Sequence, residues 1–279
     1  MRLSVIVPLL AMSLFAQDPV AQPPVAQPPE STQPASPPPP PTLEYSGKPM
    51  VVPFQCTEED IRSGGLACTD EDPCPVYLEL ASAGSTGIRL FVAGNIHTAT
   101  ATLFSIILGS DDNGHTWREV HERLRFSTLE GLQFSDTDNG WASGIELSPL
   151  PQDPFLLKAT DGGKTWRQVA LFEDTRYGTI LQYQFQDKST GTLIFDRGSG
   201  SGSSRYERYE SRDGGDSWTL KETSAKPFPA RRPADPSQPE WRVRADANSR
   251  SFHLEHREGG RWSPVAQFAV NLGMCRPQP

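Results

Sequence analysis

The sequence predicts an all-β protein in which small antiparallel sheets repeat about every 50 residues. Short apolar or alternating runs follow one another after Pro75, and clusters of Gly, Asn, Asp, Ser and Pro separate them. A turn motif of eight residues recurs three times, and a second motif recurs at a matching spacing. No segment carries the sustained apolar periodicity of a long amphipathic helix.

The repeated turn motif has the frame small-x-Asp-x-Gly-x-Thr/Ser-Trp and aligns without gaps in its three copies. Its defining positions are Ser110, Asp112, Gly114, Thr116 and Trp117 in the first copy, Asp161, Gly163, Thr165 and Trp166 in the second, and Ser211, Asp213, Gly215, Ser217 and Trp218 in the third. The three aspartates are 49 and 52 residues apart, which is a spacing typical of a structural repeat.

A second motif, Phe-x-Asp-x3-Gly, keeps phase with the first. It occupies Phe134–Gly140 and Phe185–Gly191, which begin 51 residues apart, and its aspartate precedes the turn aspartate by 25 and 26 residues. A shortened fourth copy of the turn stands at Arg257–Trp262, 44 residues after Trp218 when the two tryptophans are compared. This fourth unit is expected to have lost a strand or shortened a loop.

These turns resemble the Asp-box, or bacterial neuraminidase repeat, of sialidases and other β-propellers. The stretch Phe134–Gly144, followed by Thr160–Trp166, more specifically resembles the photosystem II assembly and stability factor family, whose wider membership includes non-photosynthetic bacteria. The resemblance covers residues 76–262. It implies a small β-propeller-like array of four antiparallel blades, or five, with Asp-box turns between the third and fourth strands; an open, curved array is the alternative to a closed ring.

The residue types of the turn predict a structural role. An Asp side chain accepts hydrogen bonds from turn amides, Gly adopts a positive φ, and the resemblance implies that the Trp packs between blades. Because a buried Trp is worth about 3–5 kcal/mol and a net hydrogen bond about 1 kcal/mol, the tryptophans should stabilise more than the aspartates. A calcium loop at Asp136–Gly140 is the competing interpretation, but such loops need more oxygen ligands and a distal Glu. The sequence therefore predicts neither a metal nor a cofactor.

The N-terminal part predicts export. Arg2 precedes an apolar run of thirteen residues, Leu3–Phe15, so residues 1–16 are expected to be a signal peptide, with an uncleaved anchor as the alternative. Residues 17–41 contain eleven prolines and predict an extended linker. A cysteine-containing segment at 42–75 and the repeat domain at 76–279 follow. After cleavage of the signal peptide, the protein is expected to be a monomer that is not inserted in a membrane. It is expected in the periplasm, at the cell surface or outside the cell.

The cysteines predict disulfides. Cys56, Cys68, Cys74 and Cys275 form an even set, which in an exported chain indicates two bridges with three possible pairings. If all four are oxidised, at least one bridge joins the ends of the domain; their spacings lack the C-x2-C pair typical of zinc sites.

Two further features precede the repeats. Thr57–Asp60 reads as a capping box, and the following Gly64 and Gly65 predict the end of one short helix. Thr42–Gln55 is expected to add a strand to the last unit and close the ring.

The bulk charge and the motifs limit the classes of function. A net charge of −8 and a pI near 5.2 argue against a nucleic-acid partner. A sialidase would carry an Arg-Ile-Pro signature, which this sequence lacks. A glycosidase with paired carboxylates would draw on residues such as Asp138, Glu146, Asp153 and Glu173, and spacing alone nominates no pair among them. No catalytic residue is therefore assigned.

The prediction is an exported, non-catalytic binding or assembly scaffold that acts through protein–protein or protein–glycan contacts. The alternative is a glycoside hydrolase of a sialidase-like or xyloglucanase-like propeller type. The resemblance places the binding face on the loops opposite the Asp-box turns, where Arg123, Arg125, Phe126, Arg176 and Tyr177 have the residue types of interface hot spots, although plain solvated loops would look the same. The partner itself is not indicated by the sequence.

Overall fold

The structure is a computed structural model that describes residues 40–147, 153–174, 176–229 and 240–277. The predicted signal peptide and nearly all of the predicted proline-rich linker lie outside the described residues, as does most of the loop at 146–153. In the part of the chain that is described, no helix is long and apolar enough to cross a membrane.

The elements are mostly strands. In chain order they are β1 (Leu43–Glu44), α1 (Glu58–Ser63), β2 (Cys74–Thr86), β3 (Arg89–His97), β4 (Thr102–Ser110), β5 (Thr116–Glu119), β6 (Leu124–Arg125), β7 (Ser127–Phe134), β8 (Gly140–Glu146), β9 (Asp153–Ala159), β10 (Arg167–Ala170), β11 (Thr179–Phe185), β12 (Gly191–Asp196), a 3-10 helix (Ser199–Ser204), β13 (Tyr206–Ser211), β14 (Thr219–Ser224), β15 (Glu240–Asp246), β16 (Ser251–Glu258), β17 (Arg261–Ala269) and β18 (Asn271–Cys275).

The described strands form four antiparallel sheets, which confirms the predicted fold class. The first sheet has the order β1-β5-β4-β3-β2-β18, with β6 also paired to β4; the second is β10-β9-β8-β7 and the third β11-β12-β13-β14. The fourth sheet, β15-β16-β17, has three strands, so the expected loss of a strand in this unit is confirmed.

The sheets pack face to face in the order fourth, first, second, third. β15 of the fourth sheet lies against β2, β2 lies against β7 of the second sheet, and β11 of the third sheet lies against β7 and β8. Three hydrophobic cores fill these interfaces. They contain Leu254 and Phe268 with Trp117 between the fourth and first sheets, Phe91 with Trp166 between the first and second, and Trp141 with Phe185 between the second and third.

Paired side-chain amides also join neighbouring sheets. Asn95 of the first sheet accepts a hydrogen bond from the Leu129 amide at 2.8 Å and donates one to its carbonyl at 3.2 Å. Gln133 of the second sheet makes the same pair of bonds to the backbone of Phe185 in the third, at 2.9 and 3.0 Å. Because each amide satisfies both backbone groups of a buried strand, it fixes the register of one sheet against the next.

The predicted strand addition by Thr42–Gln55 is confirmed in part, since Met50 forms a parallel β-bridge with Phe268 of the fourth sheet, whereas β1 has a different partner. β1 pairs with β5, with Leu43 opposite Trp117, so it extends the first sheet rather than the last. β5 is the short outer strand of that sheet, and an exposed edge with unpaired amides accepts such an addition. Met50 then reaches the fourth sheet through backbone bonds of 2.9 Å to Gln267 and 2.8 Å from Ala269.

One of the two disulfides joins the two ends of the domain, as predicted. Cys56 pairs with Cys275, at a sequence separation of 219, and Cys68 pairs with Cys74, at a separation of 6. Since Cys275 ends β18, which pairs with β2, the N-terminal segment and the C-terminal strand both attach to the first sheet.

The predicted helix is confirmed as α1. The Thr57 hydroxyl accepts a hydrogen bond from the Asp60 amide at 3.2 Å, and the Asp60 carboxylate accepts one from the Thr57 amide at 2.9 Å, which completes a capping box. Gly64 then caps the C-terminus.

The array has two ends of different character. Strand direction places the three repeated turns and the Phe-x-Asp hairpins at one end, called here the turn end. The connections at 120–126 and 171–178, which lead from one sheet to the next, lie at the opposite, loop end. Any side chain in these connections is therefore separated from the repeated turns by the length of a blade.

The aspartates of the repeated turns are engaged locally. Asp112 accepts hydrogen bonds from the Thr116 amide at 2.8 Å and the Thr116 hydroxyl at 2.7 Å, and Asp213 makes the equivalent bonds to Ser217 at 2.9 and 2.6 Å. The Thr116 amide bond is the largest cause that lowers the pKa of Asp112 to about 2. At Asp213, partial burial acts to raise the pKa, but the hydrogen bonds from Ser217 outweigh it and lower the pKa to about 2.

A β-bulge recurs in the first strand of three sheets. The extra residue is Ala81 in β2, Glu130 in β7 and Leu181 in β11. These positions are 49 and 51 residues apart, in phase with the turns, and all three side chains are exposed. These first strands contact one another across the sheets and are called here the inner wall of the array. The bulge bends each of them a few residues before its hairpin.

Candidate binding surface at the loop end

The two connections at the loop end carry all five residues that the sequence analysis nominates for binding. Arg123, Arg125 and Phe126 precede β7, and Arg176 and Tyr177 precede β11. The structure thus places both groups at one end of the array, on connections that begin different sheets.

The first group is tied to the N-terminal segment. Arg123 donates to the Pro53 carbonyl at 2.7 Å and pairs with Glu119 at 2.6 Å. Arg125 pairs at 2.6 Å with Asp60, which is only 2% exposed. Because an unpaired buried carboxylate is costly, Arg125 is needed to compensate the charge of Asp60 in α1. These arginines hold the N-terminal segment in place, which leaves them fewer donors for a partner.

The second group belongs to a polar network on the third sheet. Arg176 donates to the Tyr209 hydroxyl at 2.7 Å, and that hydroxyl donates to Glu207 at 2.6 Å. Arg197 approaches the other Glu207 oxygen at 3.3 Å. Glu207 is 4% exposed, whereas the side chains of Arg176 and Arg197 are 38% and 39% exposed. A buried carboxylate therefore holds two arginines at the surface.

The charge of this network is unbalanced. Two guanidinium groups share one carboxylate, and each guanidinium has five N–H donors, of which the contacts within the network use Nη1. Burial and the Glu207 carboxylate raise the pKa of Tyr209, so this hydroxyl stays protonated as a donor to Glu207. Tyr177, the next residue after Arg176, is 64% exposed. We call Arg176, Tyr177, Arg197, Glu207 and Tyr209 the arginine site.

A neutral ion pair positions the loop that carries Arg197. Asp196 binds Arg205 in a bidentate geometry at 2.9 and 2.8 Å, and it also accepts the Gly198 amide at 2.8 Å. The hydrogen bonds from Arg205 are the largest cause that lowers the pKa of Asp196. The base of the loop from which the Arg197 side chain extends is therefore held in place. Sequence reasoning missed Arg197, Glu207 and Tyr209, although the arginines that flank the Gly-Ser run 198–204 were a usable signal.

The four carboxylates considered as glycosidase candidates separate in the structure. Glu146 and Asp153 lie directly opposite each other at the loop end, where β8 ends and β9 begins. Burial and the Glu146 charge raise the pKa of Asp153, and Gln168 donates to Glu146 at 2.7 Å. Asp138 belongs to a hairpin at the turn end, and Glu173 is exposed in the connection before β11.

No protein-family model matches the chain, and no curated protein matches it in sequence. Solved structures of propeller proteins are similar to it. YCF48 from Cyanidioschyzon merolae is 18% identical over 66% of this chain and 55% of that chain, with a TM-score of 0.36. An ulvan lyase from a new family of polysaccharide lyases is 8% identical over 73% of this chain and 54% of that chain, with a TM-score of 0.40. The endosialidase of phage phi92 is 9% identical over 75% of this chain and 44% of that chain, with a TM-score of 0.41.

The chain spans about half the length of these structures. It shares with them an all-β architecture of antiparallel sheets, and the likeness stops there.

Proposed function

We propose that this protein is an exported, non-catalytic binding or assembly domain that holds an acidic group of its partner at the arginine site. The observation that carries the proposal is that the buried Glu207 holds Arg176 and Arg197 side by side at the surface with a net positive charge. The two disulfides support export, since such bridges persist in oxidising compartments.

The chemistry of the arginine site suits a carboxylate ligand. Guanidinium groups bind carboxylates through paired, charge-assisted hydrogen bonds, and an adjacent exposed tyrosine adds a rigid contact surface. Because Glu207 and Tyr209 fix both arginines before a ligand arrives, little side-chain entropy is lost on binding. A uronate-containing glycan and an acidic peptide segment both present such a group.

The proposal is tested by biolayer interferometry with immobilised polygalacturonate and poly-glutamate, and with dextran as a neutral control. We expect binding to the acidic surfaces that weakens as salt is raised, because exposed charges are screened. Arg197→Gln and Tyr177→Ala should each weaken it about tenfold. Lys221→Gln, which removes an exposed cation from β14 of the same sheet, is the matched control and should leave it unchanged. Equal binding by Arg197→Gln and the wild type would contradict the proposal.

A glycoside hydrolase remains the second candidate function, and the Glu146–Asp153 pair is the observation that favours it. Two facing carboxylates of which one has a raised pKa are the groups that acid/base hydrolysis of a glycoside requires. The test is release of reducing ends from neutral and acidic polysaccharides. Activity that is lost in both Glu146→Gln and Asp153→Asn would establish this function in place of the first.

A further inference from the structure

A groove of about 400 Å³ opens at the turn end, on the inner wall of the array, where three sheets meet. This volume lies within the range of small-ligand sites, roughly 300–1,000 Å³. We call it the central groove and define it by its lining, which is residues 83–87 at the end of β2, residues 132–137 at the end of β7 and its hairpin, and Trp241 of β15. It is a blade's length away from the arginine site.

The floor of the central groove is made of small residues. Ala83, Gly84, Ser85 and Gly87 supply it, and a side chain added at Gly87 would meet no atom within 4 Å. This part of β2 is paired with β3 along one edge, whereas β18 pairs with the other edge only near Cys74–Tyr77. Main-chain donors and acceptors of the free edge therefore lie beside the floor.

Aromatic side chains form the two walls. Trp241 comes from the fourth sheet and stacks on His256, with ring centroids 4.5 Å apart and an interplanar angle of 28°. Phe134 comes from the second sheet and packs on Phe91 at 4.9 Å. Each of these rings packs against another ring, so its conformation is restricted before a ligand enters.

The central groove offers no positive charge among its described lining residues. Its one ionisable side chain is Asp136, whose Oδ1 accepts the amides of Asp138 at 2.9 Å and Asn139 at 2.8 Å. Its Oδ2 accepts the Asn139 side-chain amide at 3.0 Å and the Ser135 hydroxyl at 3.2 Å. An anionic ligand would lose hydration here without gaining a counter-charge, and both oxygens of the Asp136 carboxylate already accept hydrogen bonds, so the lining suits a neutral ligand.

We propose that the central groove binds a neutral pyranose ring of a glycan. The C–H face of such a ring packs on an aromatic wall, and its hydroxyls hydrogen-bond to the free main-chain groups of β2 and to the Ser85 hydroxyl. Aromatic walls combined with a few polar groups are the usual composition of a small-ligand site. The protein then has two binding sites of opposite preference, one for acidic groups at the loop end and one for neutral sugars at the turn end.

The test is saturation-transfer-difference NMR of the full chain with cellopentaose and with maltopentaose. The variant Ser85→Leu fills the floor of the groove, and Trp241→Ala removes one wall. The matched control is Ser199→Leu, the same substitution at an exposed position of the loop end. We expect saturation of the sugar ring protons by the wild type and by Ser199→Leu, and an affinity about tenfold lower for Ser85→Leu. Trp241→Ala also removes a side chain that packs on the core between the fourth and first sheets. The thermal midpoint of each variant is therefore measured, so that a loss of stability is distinguished from a loss of binding.

Two results would overturn the proposal. The first is the lack of saturation transfer to either sugar at millimolar concentration. The second is an unchanged affinity in a Ser85→Leu variant that remains folded. Neither of these results bears on the arginine site, whose probes are acidic polymers.

Discussion

Gly140 lies directly opposite Phe134 across the first hairpin of the second sheet, and a β-carbon at Gly140 would stand 2.4 Å from an edge carbon of the phenyl ring. Gly191 faces Phe185 in the third sheet in the same manner, with a closest distance of 2.5 Å. The Phe-x5-Gly spacing of the second motif is therefore a steric pair, in which the glycine makes room for the ring that packs against the Trp of the same unit.

Gly140→Ala should destabilise the protein by about 1–3 kcal/mol, because the phenyl ring must move within a packed core. Urea unfolding measures the change. Gly200→Ala is the matched control, since a β-carbon there meets nothing within 4 Å, and it should leave the midpoint near the wild-type value. A Gly140→Ala variant as stable as Gly200→Ala would contradict the steric pair.

The long-range disulfide should stabilise the protein more than the short one. In the chain-entropy model, a bridge over a separation of 219 contributes about 5 kcal/mol and one over a separation of 6 about 2 kcal/mol. We expect the double variant Cys56→Ser/Cys275→Ser to unfold at a clearly lower urea concentration than Cys68→Ser/Cys74→Ser. The reverse order would show that the ends of the domain are held by other contacts.

The tryptophans of the repeated turns should differ in importance. Trp117 is 1% exposed and donates to the Gly114 carbonyl at 3.0 Å, whereas Trp218 is half-buried and its Nε1 has no hydrogen-bond partner among the described residues. Trp117→Ala should lower the free energy of unfolding by about 3–5 kcal/mol, and Trp218→Ala should lower it by less. Thermal unfolding of both variants decides the order, and equal losses would mean that burial does not set the contribution.

Acid should remove the contribution of the turn aspartates. The pKa of Asp112 is about 2 in the folded protein and about 3.9 in an unfolded chain, so its contribution is complete above about pH 4 and is lost as the pH falls through 2. Asp112→Asn should therefore be less stable than the wild type at pH 7 and equal to it near pH 2. Urea midpoints at the two pH values check this, and a constant difference would argue against titration of Asp112.

The two groups at the loop end should respond differently to truncation. Arg125→Ala leaves the buried Asp60 without its partner and should lower the free energy of unfolding by about 1–3 kcal/mol, a range reduced because Arg125 is half-exposed. Tyr177→Ala should leave it within about 0.5 kcal/mol, because an exposed side chain contributes little. Chemical unfolding of both variants checks this, and similar losses would mean that Tyr177 also has a structural role.

The repeat itself could be predicted from the sequence because turns need particular residues. Asp and Gly at fixed offsets satisfy turn amides and a positive φ, and these demands leave a readable pattern. The bulges at Ala81, Glu130 and Leu181 recur with nearly the same period but could not be predicted, since a bulge is set by the bending of a strand and any residue type can occupy it.

The candidate site was predictable in part. The types and loop positions of Arg176 and Tyr177 could be read from the chain, but their partners could not. Glu207 and Tyr209 lie on β13, about thirty residues after Arg176 in the sequence. They meet Arg176 because β13 begins beside the connection that precedes β11. Contacts of this kind depend on how sheets are stacked, which no local pattern records.

The Cys56–Cys275 bridge also determines how the domain would carry a mechanical load. A pull on the chain before Thr42 is first resisted by the pairing of β1 with β5, and then by the backbone bonds of Met50 to the fourth sheet. Beyond these, the force passes through the disulfide to β18 and its neighbour β2. The tension therefore acts on the first and fourth sheets. The second and third sheets, and with them the arginine site, do not carry the force.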